Sequence, residues 1–310
     1  MSLNFSIDTR FASDEREMVI RLLEASGSRR HAVHAESQAK RVVSASLRHV
    51  AAAFPPIVRL ASLRRPPVIS LADFCRVAEN LTGAPLTCKL NKDFLRWTHG
   101  HDSWVYPSST EKLIFFGFLT AVDPVRWLGA KYTLPGFIEL EIGDLVIDCG
   151  AFVGGFTRAA LRAGASVIAV EPSRTNRRCL ETNLGGYNVD IRPVGLGPVN
   201  SQATFRESST GVDSTFGKLD EGIPTEAYTV EIVTIDELCN RAGIRPTFLK
   251  VEAEGMESKI LAGMEEFRPA KVAVDASPEG GSDNRAAIAK RLKSLDYTVR
   301  TDLNMIYGRL

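Results

Sequence analysis

A chain of 310 residues, 44% hydrophobic and 24% charged, has the make-up of a soluble globular protein with room for one large α/β domain plus a smaller one, or for two domains. Its formal net charge of +1 gives no general pull towards nucleic acid or anionic membrane. The five cysteines (Cys75, Cys88, Cys149, Cys179, Cys239) are odd in number, widely spaced and without a C-x-x-C pair, which argues against a disulfide framework or a zinc site and for reduced thiols.

No signal-peptide h-region opens the sequence, and no apolar run approaches the length of a membrane span, so a cytoplasmic protein is expected. Asp14 to Ala25 reads as a first helix, closed by Gly27. Ala39, Val43, Leu47, Val50 and Phe54 then recur on one helical face until Pro55-Pro56 stops them. A third helix is expected over Ser70 to Leu81, with Ser70 as N-cap and Gly83 and Pro85 beyond it. Strand character is weak throughout this part. Arg29, Arg30, Lys40, Arg41, Arg48, Arg59, Arg64 and Arg65 face one acid, Glu36, which makes either a docking patch for phosphates or a solvated helix face. All five histidines (His31, His34, His49, His99, His101) precede residue 102, so none comes from the later part of the chain, and the His99-Gly-His101-Asp run lacks a third metal ligand at recognisable spacing. The apolar residues of Leu113–Leu119 and Val125–Leu128 read as packing. Asp123-Pro124 and Gly129 then suggest a division into a mostly helical region, 1–128, serving as cap, substrate or dimerisation unit, and a second domain, 129–310.

The second part alternates strand and helix signals as a doubly wound, mostly parallel sheet does. Strands are expected at Leu145–Cys149, Ser166–Val170, Val189–Val194, Thr247–Val251 and Lys271–Asp275. Helices are expected at Gly155–Ala163, Ser173–Leu184, Ile235–Ala242, Glu257–Glu265 and Asn284–Leu295. Tyr297–Thr301 and Asn304–Tyr307 suggest a hairpin at the far edge. Ala203–Arg206 and Tyr228–Val233 read as extra extended segments, with a mobile loop across the polar stretch Glu207 to Ala227.

The most informative stretch is Asp144 to Phe156, where an apolar strand meets Gly150-Ala-Phe152-Val-Gly154-Gly155 and then a helix. Backbone N–H groups of such a turn can meet an anionic group. The next strand delivers Glu171, at the distance where an acid binds a ribose diol. A dinucleotide turn wants a glycine where Phe152 stands, and a pyrophosphate would be repelled by Asp148 just before the turn. A phosphate-free cofactor that joins an amino acid to adenosine tolerates that acid. S-adenosylmethionine is such a cofactor.

Residues 144 to 264 resemble the FkbM family of S-adenosylmethionine-dependent methyltransferases, within the class I Rossmann-like superfamily. The resemblance rests on an ordered set: Asp148-Cys-Gly150-Ala151-Phe152-Val-Gly154, then Glu171-Pro172, then Asn183. A late block follows, Thr234-Ile-Asp236-Glu-Leu238 and Leu249-Lys250-Val-Glu252-Ala-Glu254-Gly255-Met-Glu257. Two positions depart from the family pattern: Phe152 replaces an Asn, and Glu252 replaces an Asp. The resemblance implies that Gly150, Ala151 and Gly154 line the methionine end with Asp148 nearby, and that Glu171 takes the ribose hydroxyls with Pro172 beside it. Asp190 or Ile191 would line the adenine edge. Lys250, Glu252 and Glu254, at a strand's carboxyl end, would either help deprotonate a hydroxyl or close the strand end as ion pairs. Magnesium held by Glu252, Glu254 and Asp236 is a further option, though no metal is expected. Gly255 and Glu257 would set the tight turn and the first turn of the next helix. The expected function is O-methylation of a sugar, glycan or polyketide-like metabolite, by a protein that acts alone or as a homodimer. The alternatives are an RNA methyltransferase using the basic N-terminal region, and a cofactor-binding scaffold without turnover.

Overall fold

The structure is a computed structural model that describes residues 86–99, 102–108, 124–208, 214–216, 224–277 and 283–310. The helices expected at 14–25, 39–54 and 70–81, the basic segment 29–65, His101 and the apolar run 113–119 lie outside the described residues. Two compact units divide the chain. One consists of 123–310 joined by 91–95 and 105–111, and the described part of the other is 86–90, 96–99 and 102–104.

Three strands appear where strand character reads as weak. They are β1 (Leu86–Leu90), β2 (Phe94–His99) and β3 (Asp102–Pro107), in the order β1-β2-β3. Asn91 sets the turn before β2, its Oδ1 accepting from the N–H groups of Asp93 and Phe94 at 2.9 and 2.7 Å. In β2, Leu95 and Trp97 are buried and Arg96 between them is exposed. That alternation of period 2 is too short to stand out beside its charged neighbours.

The larger unit is built on a seven-stranded sheet with the order β12-β13-β11-β10-β4-β5-β6. Its strands are β4 (Leu145–Cys149), β5 (Ser166–Val170), β6 (Asp190–Arg192), β10 (Phe248–Val251), β11 (Lys271–Asp275), β12 (Thr298–Asp302) and β13 (Met305–Arg309). The first five are parallel to one another, while β13 runs antiparallel to both β11 and β12. The expected edge hairpin is therefore present. Helices connect the strands: α1 (Pro124–Lys131) precedes β4, α2 (Gly155–Arg162) and α3 (Arg174–Asn183) follow β4 and β5, and α4 (Ile235–Ala242), α5 (Glu257–Ala262) and α6 (Arg285–Ser294) complete the unit. Among the described residues no helix is long and apolar enough to cross a membrane.

Local chemistry explains where these helices begin and end. Ser173 caps α3 by accepting from the Asn176 N–H at 3.0 Å, and Thr234 caps α4 by accepting from the Glu237 N–H at 3.0 Å. Gly243, at φ +65°, ends α4. The central strands are apolar on both faces because helices cover both. Ile147, Cys149, Leu249, Val251, Val272 and Val274 pack on one side, and Val146, Phe248 and Ala273 pack with Phe156 and Tyr132 on the other.

A second sheet, β7-β9-β8, joins β7 (Gly195–Leu196), β8 (Ser201–Ser208) and β9 (Pro224–Val233). The two extended segments are thus longer than expected. They run into both ends of the stretch assigned to a loop, because Glu207 and Glu226 still pair across the antiparallel ladder.

Candidate active site

Strand order reverses between β4 and β10, since β5 and β6 extend the sheet on one side and β11 on the other. The crevice outside the carboxyl ends of such a pair is where an open α/β sheet binds its ligand. Asp148, Gly150, Ala151, Gly154, Glu171, Glu252 and Glu254 all lie on or just beyond the ends of β4, β5 and β10.

Gly150 is dictated by a backbone crossing. A Cβ there would sit 1.7 Å from the Glu252 carbonyl oxygen, and φ is +75°. The turn's own N–H groups are engaged internally. Gly150 and Ala151 donate to the Val170 carbonyl at 3.0 and 3.1 Å, and Gly154 donates to the Ala151 carbonyl at 2.8 Å. Phe152 donates to Glu171 Oε2 at 2.8 Å. Gly150 and Ala151 thereby tie the β4 and β5 ends together, and the anionic group that the Phe152 N–H meets is the chain's own Glu171. Phe152 adopts φ +51°, a left-handed conformation that Asn tolerates and a bulky side chain resists, and its ring leans on Tyr106 at 6.3 Å.

Glu171 is buried. Its Oε1 accepts from the Ser173 N–H at 2.9 Å, so each carboxylate oxygen has one short backbone donor and keeps lone-pair capacity. Burial raises its pKa to about 7, against the pull of the Ser173 and Phe152 N–H groups and with a push from the Glu207 charge. Glu207 reaches over from β8. Ser173 Oγ donates to it at 2.8–2.9 Å and Tyr228 Oη at 2.5 Å. Pro172 turns its carbonyl to Arg177 Nη1 at 2.8 Å.

Asp148 and Lys250 occupy the same register position on β4 and β10. Both side chains point inward. Asp148 is fully buried, accepting from Thr157 Oγ1 at 2.6 Å and pairing with Lys250 at 3.0 Å. The Lys250 ammonium also donates to the carbonyls of Cys149 and Gly150, at 3.2 and 2.6 Å. Lys250 thus takes part in the ion pair that closes the strand end, one of the two arrangements expected for it, with Asp148 Oδ1 facing its ammonium as a charge and the two carbonyls as hydrogen-bond acceptors. Asp148 likewise lies beneath the turn rather than on its open side.

Glu252 is different. Its side chain is 33% exposed, and its Oε1 accepts from Lys131 Nζ at 2.6 Å. The same ammonium holds Asp275, at the end of β11, at 2.8 Å. Burial would raise the Glu252 carboxyl, but the Lys131 and Lys250 charges overcome it and hold the group far below the usual carboxylate range. Glu254 stands in the following turn at φ +46°. Glu257 closes that turn, its Oε1 accepting from the Ala253 and Gly255 N–H groups at 2.8 and 3.2 Å, in the structural role expected for it.

Asp190 is not brought to these ends. It opens β6, is exposed, and pairs with Arg192 at 2.7 Å, whereas Arg192 is the residue at the β5 carboxyl end. Ile191 packs into the small cluster of Ala151, Ala169, Leu180 and Leu184. Asp236 is also elsewhere, accepting from the N–H groups of residues 265–267, and no three metal-ligating side chains gather among the described residues. The magnesium option thereby loses one of its three ligands.

Residues 148–297 match the family model described as the methyltransferase FkbM domain. The chain carries a methyltransferase FkbM domain. As an FkbM methyltransferase it takes S-adenosylmethionine as cofactor, and the buried Glu171 carboxylate with remaining acceptor capacity, set beside a turn of buried small residues, fits that group. Comparison with curated proteins finds no match to the FkbM chain. Solved structures similar to part of it include a precorrin-6y C5,15-methyltransferase from Geobacter metallireducens (12% identity, 62% of this chain and 90% of that one, TM-score 0.38). Another is an S-adenosylmethionine-dependent methyltransferase from Aquifex aeolicus (11% identity, 65% and 95%, TM-score 0.35). A third is a Streptococcus mutans protein described as a methyltransferase in complex with S-adenosylhomocysteine (12% identity, 55% and 91%, TM-score 0.34).

The site holds residues that sequence reasoning passed over. Lys131 and Asp275 are the main ones. Asp275 had a readable signal, an acid ending an expected parallel strand, as Glu171 does. Lys131 had none, since it stands in a helix outside the stretch that carries the motifs.

Proposed function

We propose that the FkbM domain methylates a hydroxyl group on a sugar, glycan or polyketide-like metabolite, with Glu252 facing that hydroxyl. One observation carries the reading: at the sheet's reversal point, where Lys250 and Asp148 are spent on each other, Glu252 is a partly exposed and firmly ionised acceptor. When bound, S-adenosylmethionine supplies an electrophilic methyl on a sulfonium that leaves with its electron pair. Glu171 would accept from both ribose hydroxyls, and Gly150, Ala151 and Gly154 would line the methionine end, with Asp148 and Lys250 bracing the turn from below. Pro172 and Ile191 would border the adenine.

A carboxylate held so far below neutrality is a poor proton acceptor. Glu252 would therefore orient the hydroxyl and stabilise positive charge developing on its oxygen, and the proton on the methylated oxygen would leave to solvent water. Charge also speaks for an uncharged acceptor. Lys131 faces two carboxylates, and Lys250 is balanced by Asp148, so the strand ends carry excess negative charge that repels phosphorylated substrates.

Calorimetry with S-adenosylhomocysteine, followed by tritium transfer from labelled S-adenosylmethionine to methyl glycosides and a hydroxylated macrolide, tests this reading. Binding with transfer to a hydroxyl is expected, as is a loss of about a hundredfold in turnover in Glu252→Gln. Failure to bind S-adenosylhomocysteine would sink the proposal, and so would full activity in Glu252→Gln.

A further inference from the structure

We infer that Lys131 is a positioning residue for methyl transfer, clamping Glu252 and Asp275 into a paired carboxylate seat for the acceptor. The inference rests on the reading that Glu252 faces the acceptor, and it adds two residues that the motifs do not contain. Val251 pairs with Val274 on neighbouring parallel strands, so Glu252 and Asp275 are the next residues side by side. Two carboxylates so placed repel each other unless a cation stands between them. Lys131 Nζ is that cation, 2.6 Å from Glu252 Oε1 and 2.8 Å from Asp275 Oδ2.

Each part of the clamp is itself fixed. Tyr307 Oη donates to the Lys131 carbonyl at 2.8 Å, which ties the end of α1 to β13. The Lys131 ammonium rests 5.0 Å from the centre of the Tyr132 ring. Asp275 Oδ1 accepts from the Ser277 N–H and hydroxyl at 2.9 and 2.7 Å, which leaves Oδ2 to the lysine. The remaining groups facing the pair come from every neighbouring element. Lys250 on β10 stands 3.7 Å from Glu252 but is committed to Asp148 on β4, Glu257 on α5 adds negative charge towards Asp275, and Tyr132 and Tyr307 contribute neutral hydroxyls. No other cation in this set bridges the two acids.

Such a triad is a poor choice if stability alone is wanted, since packed apolar side chains commonly do as well. Its useful property is that two carboxylates are held aligned at one spot. A hydroxyl donating to one of them is then held in a single orientation towards the donor's methyl.

The test uses the full chain loaded with S-adenosylhomocysteine and carrying carbon-13 in its Glu and Asp carboxyls, titrated by NMR in the wild type, Lys131→Met and Lys131→Arg. Glu252→Gln and Asp275→Asn assign the two signals. In Lys131→Met the Glu252 carboxyl is expected to titrate at least about two pH units higher than in the wild type, while Lys131→Arg keeps it low. With methyl glycosides as acceptors, the KM of Lys131→Met is expected to rise at least about tenfold at pH 7. It should rise further as pH falls, with S-adenosylhomocysteine affinity unchanged and recovery in Lys131→Arg. Unshifted carboxyl titrations in Lys131→Met overturn the inference, as does a fall in donor affinity matching the rise in KM. If Glu252→Gln stays fully active, the reading of Glu252 itself fails. If Glu252→Gln is crippled while Lys131→Met behaves as wild type, only the inference about Lys131 fails.

Discussion

At the scale of single residues, Glu171 is the group whose ionisation matters most. Its pKa of about 7 follows from burial, and the proposed ribose contact needs the ionised form, because a diol donates to a carboxylate. The folded chain holds this proton more tightly than an unfolded one. Glu171 therefore costs the free protein about 3 kcal/mol as pH rises from the ordinary 4.5 to about 7, and nothing further above that. Donor binding has the opposite slope. Calorimetry is expected to show affinity for S-adenosylhomocysteine falling about tenfold per pH unit below 7 and level above it. Glu171→Gln should bind weakly with no such slope, and a wild-type affinity flat from pH 5 to 8 would rule this role out. Phe152 offers a second measurement. Both Phe152→Asn and Phe152→Ala lose the ring, but only Asn is at ease at φ +51°, so urea denaturation should find the Asn variant more stable by about 0.5–1 kcal/mol. Much at this scale was legible in the sequence. A strand-end acid after an apolar run located Glu171, and the missing glycine singled out Phe152. The side chains' direction was not legible. Lys250 and Glu252 share a strand parity, yet one is sealed inside and the other emerges, because the strand stops at Val251 and the chain turns.

At the scale of elements, the sheet could be read because each buried parallel strand is a short apolar run between glycines, acids and helix caps. The fits at β4, β5 and β11 are complete to the residue. Strands β1 to β3 could not be read, since their pattern is set by pairing with one another and is mixed with charge. Contacts between elements far apart in sequence were equally hidden, and Asn183 illustrates this. At the end of α3 it accepts from the Val105 N–H at 2.7 Å and donates to the carbonyls of Val105 and Val153, at 2.8 and 2.9 Å. It thereby joins β3 to the turn that follows β4. Asn183→Leu fills similar space but leaves those backbone groups buried without partners. The expected cost is about 3 kcal/mol in urea denaturation, with weakened S-adenosylhomocysteine binding. A loss below about 1 kcal/mol would mean that water replaces the amide.

At the scale of the whole molecule, the region that matches the family is smaller than the compact unit that contains it. The family match spans 148–297, yet Lys131 precedes it and β13 follows it. A fragment cut at those limits would keep the turn residues and Glu171 while losing Lys131, the first three residues of β4, and the whole of β12 and β13. The place of β13 has a consequence for how the protein is made. Residues 305–309 slide between β12 and β11, so during synthesis β11 emerges as an almost wholly buried apolar strand with one bare edge and waits for a partner encoded further on. A nascent chain in that interval offers a template for pairing with its neighbours on the same polysome. A chain ended at Asp302 is expected to accumulate in the insoluble fraction, and adding back a synthetic peptide of residues 303–310 during refolding should return part of it to solution.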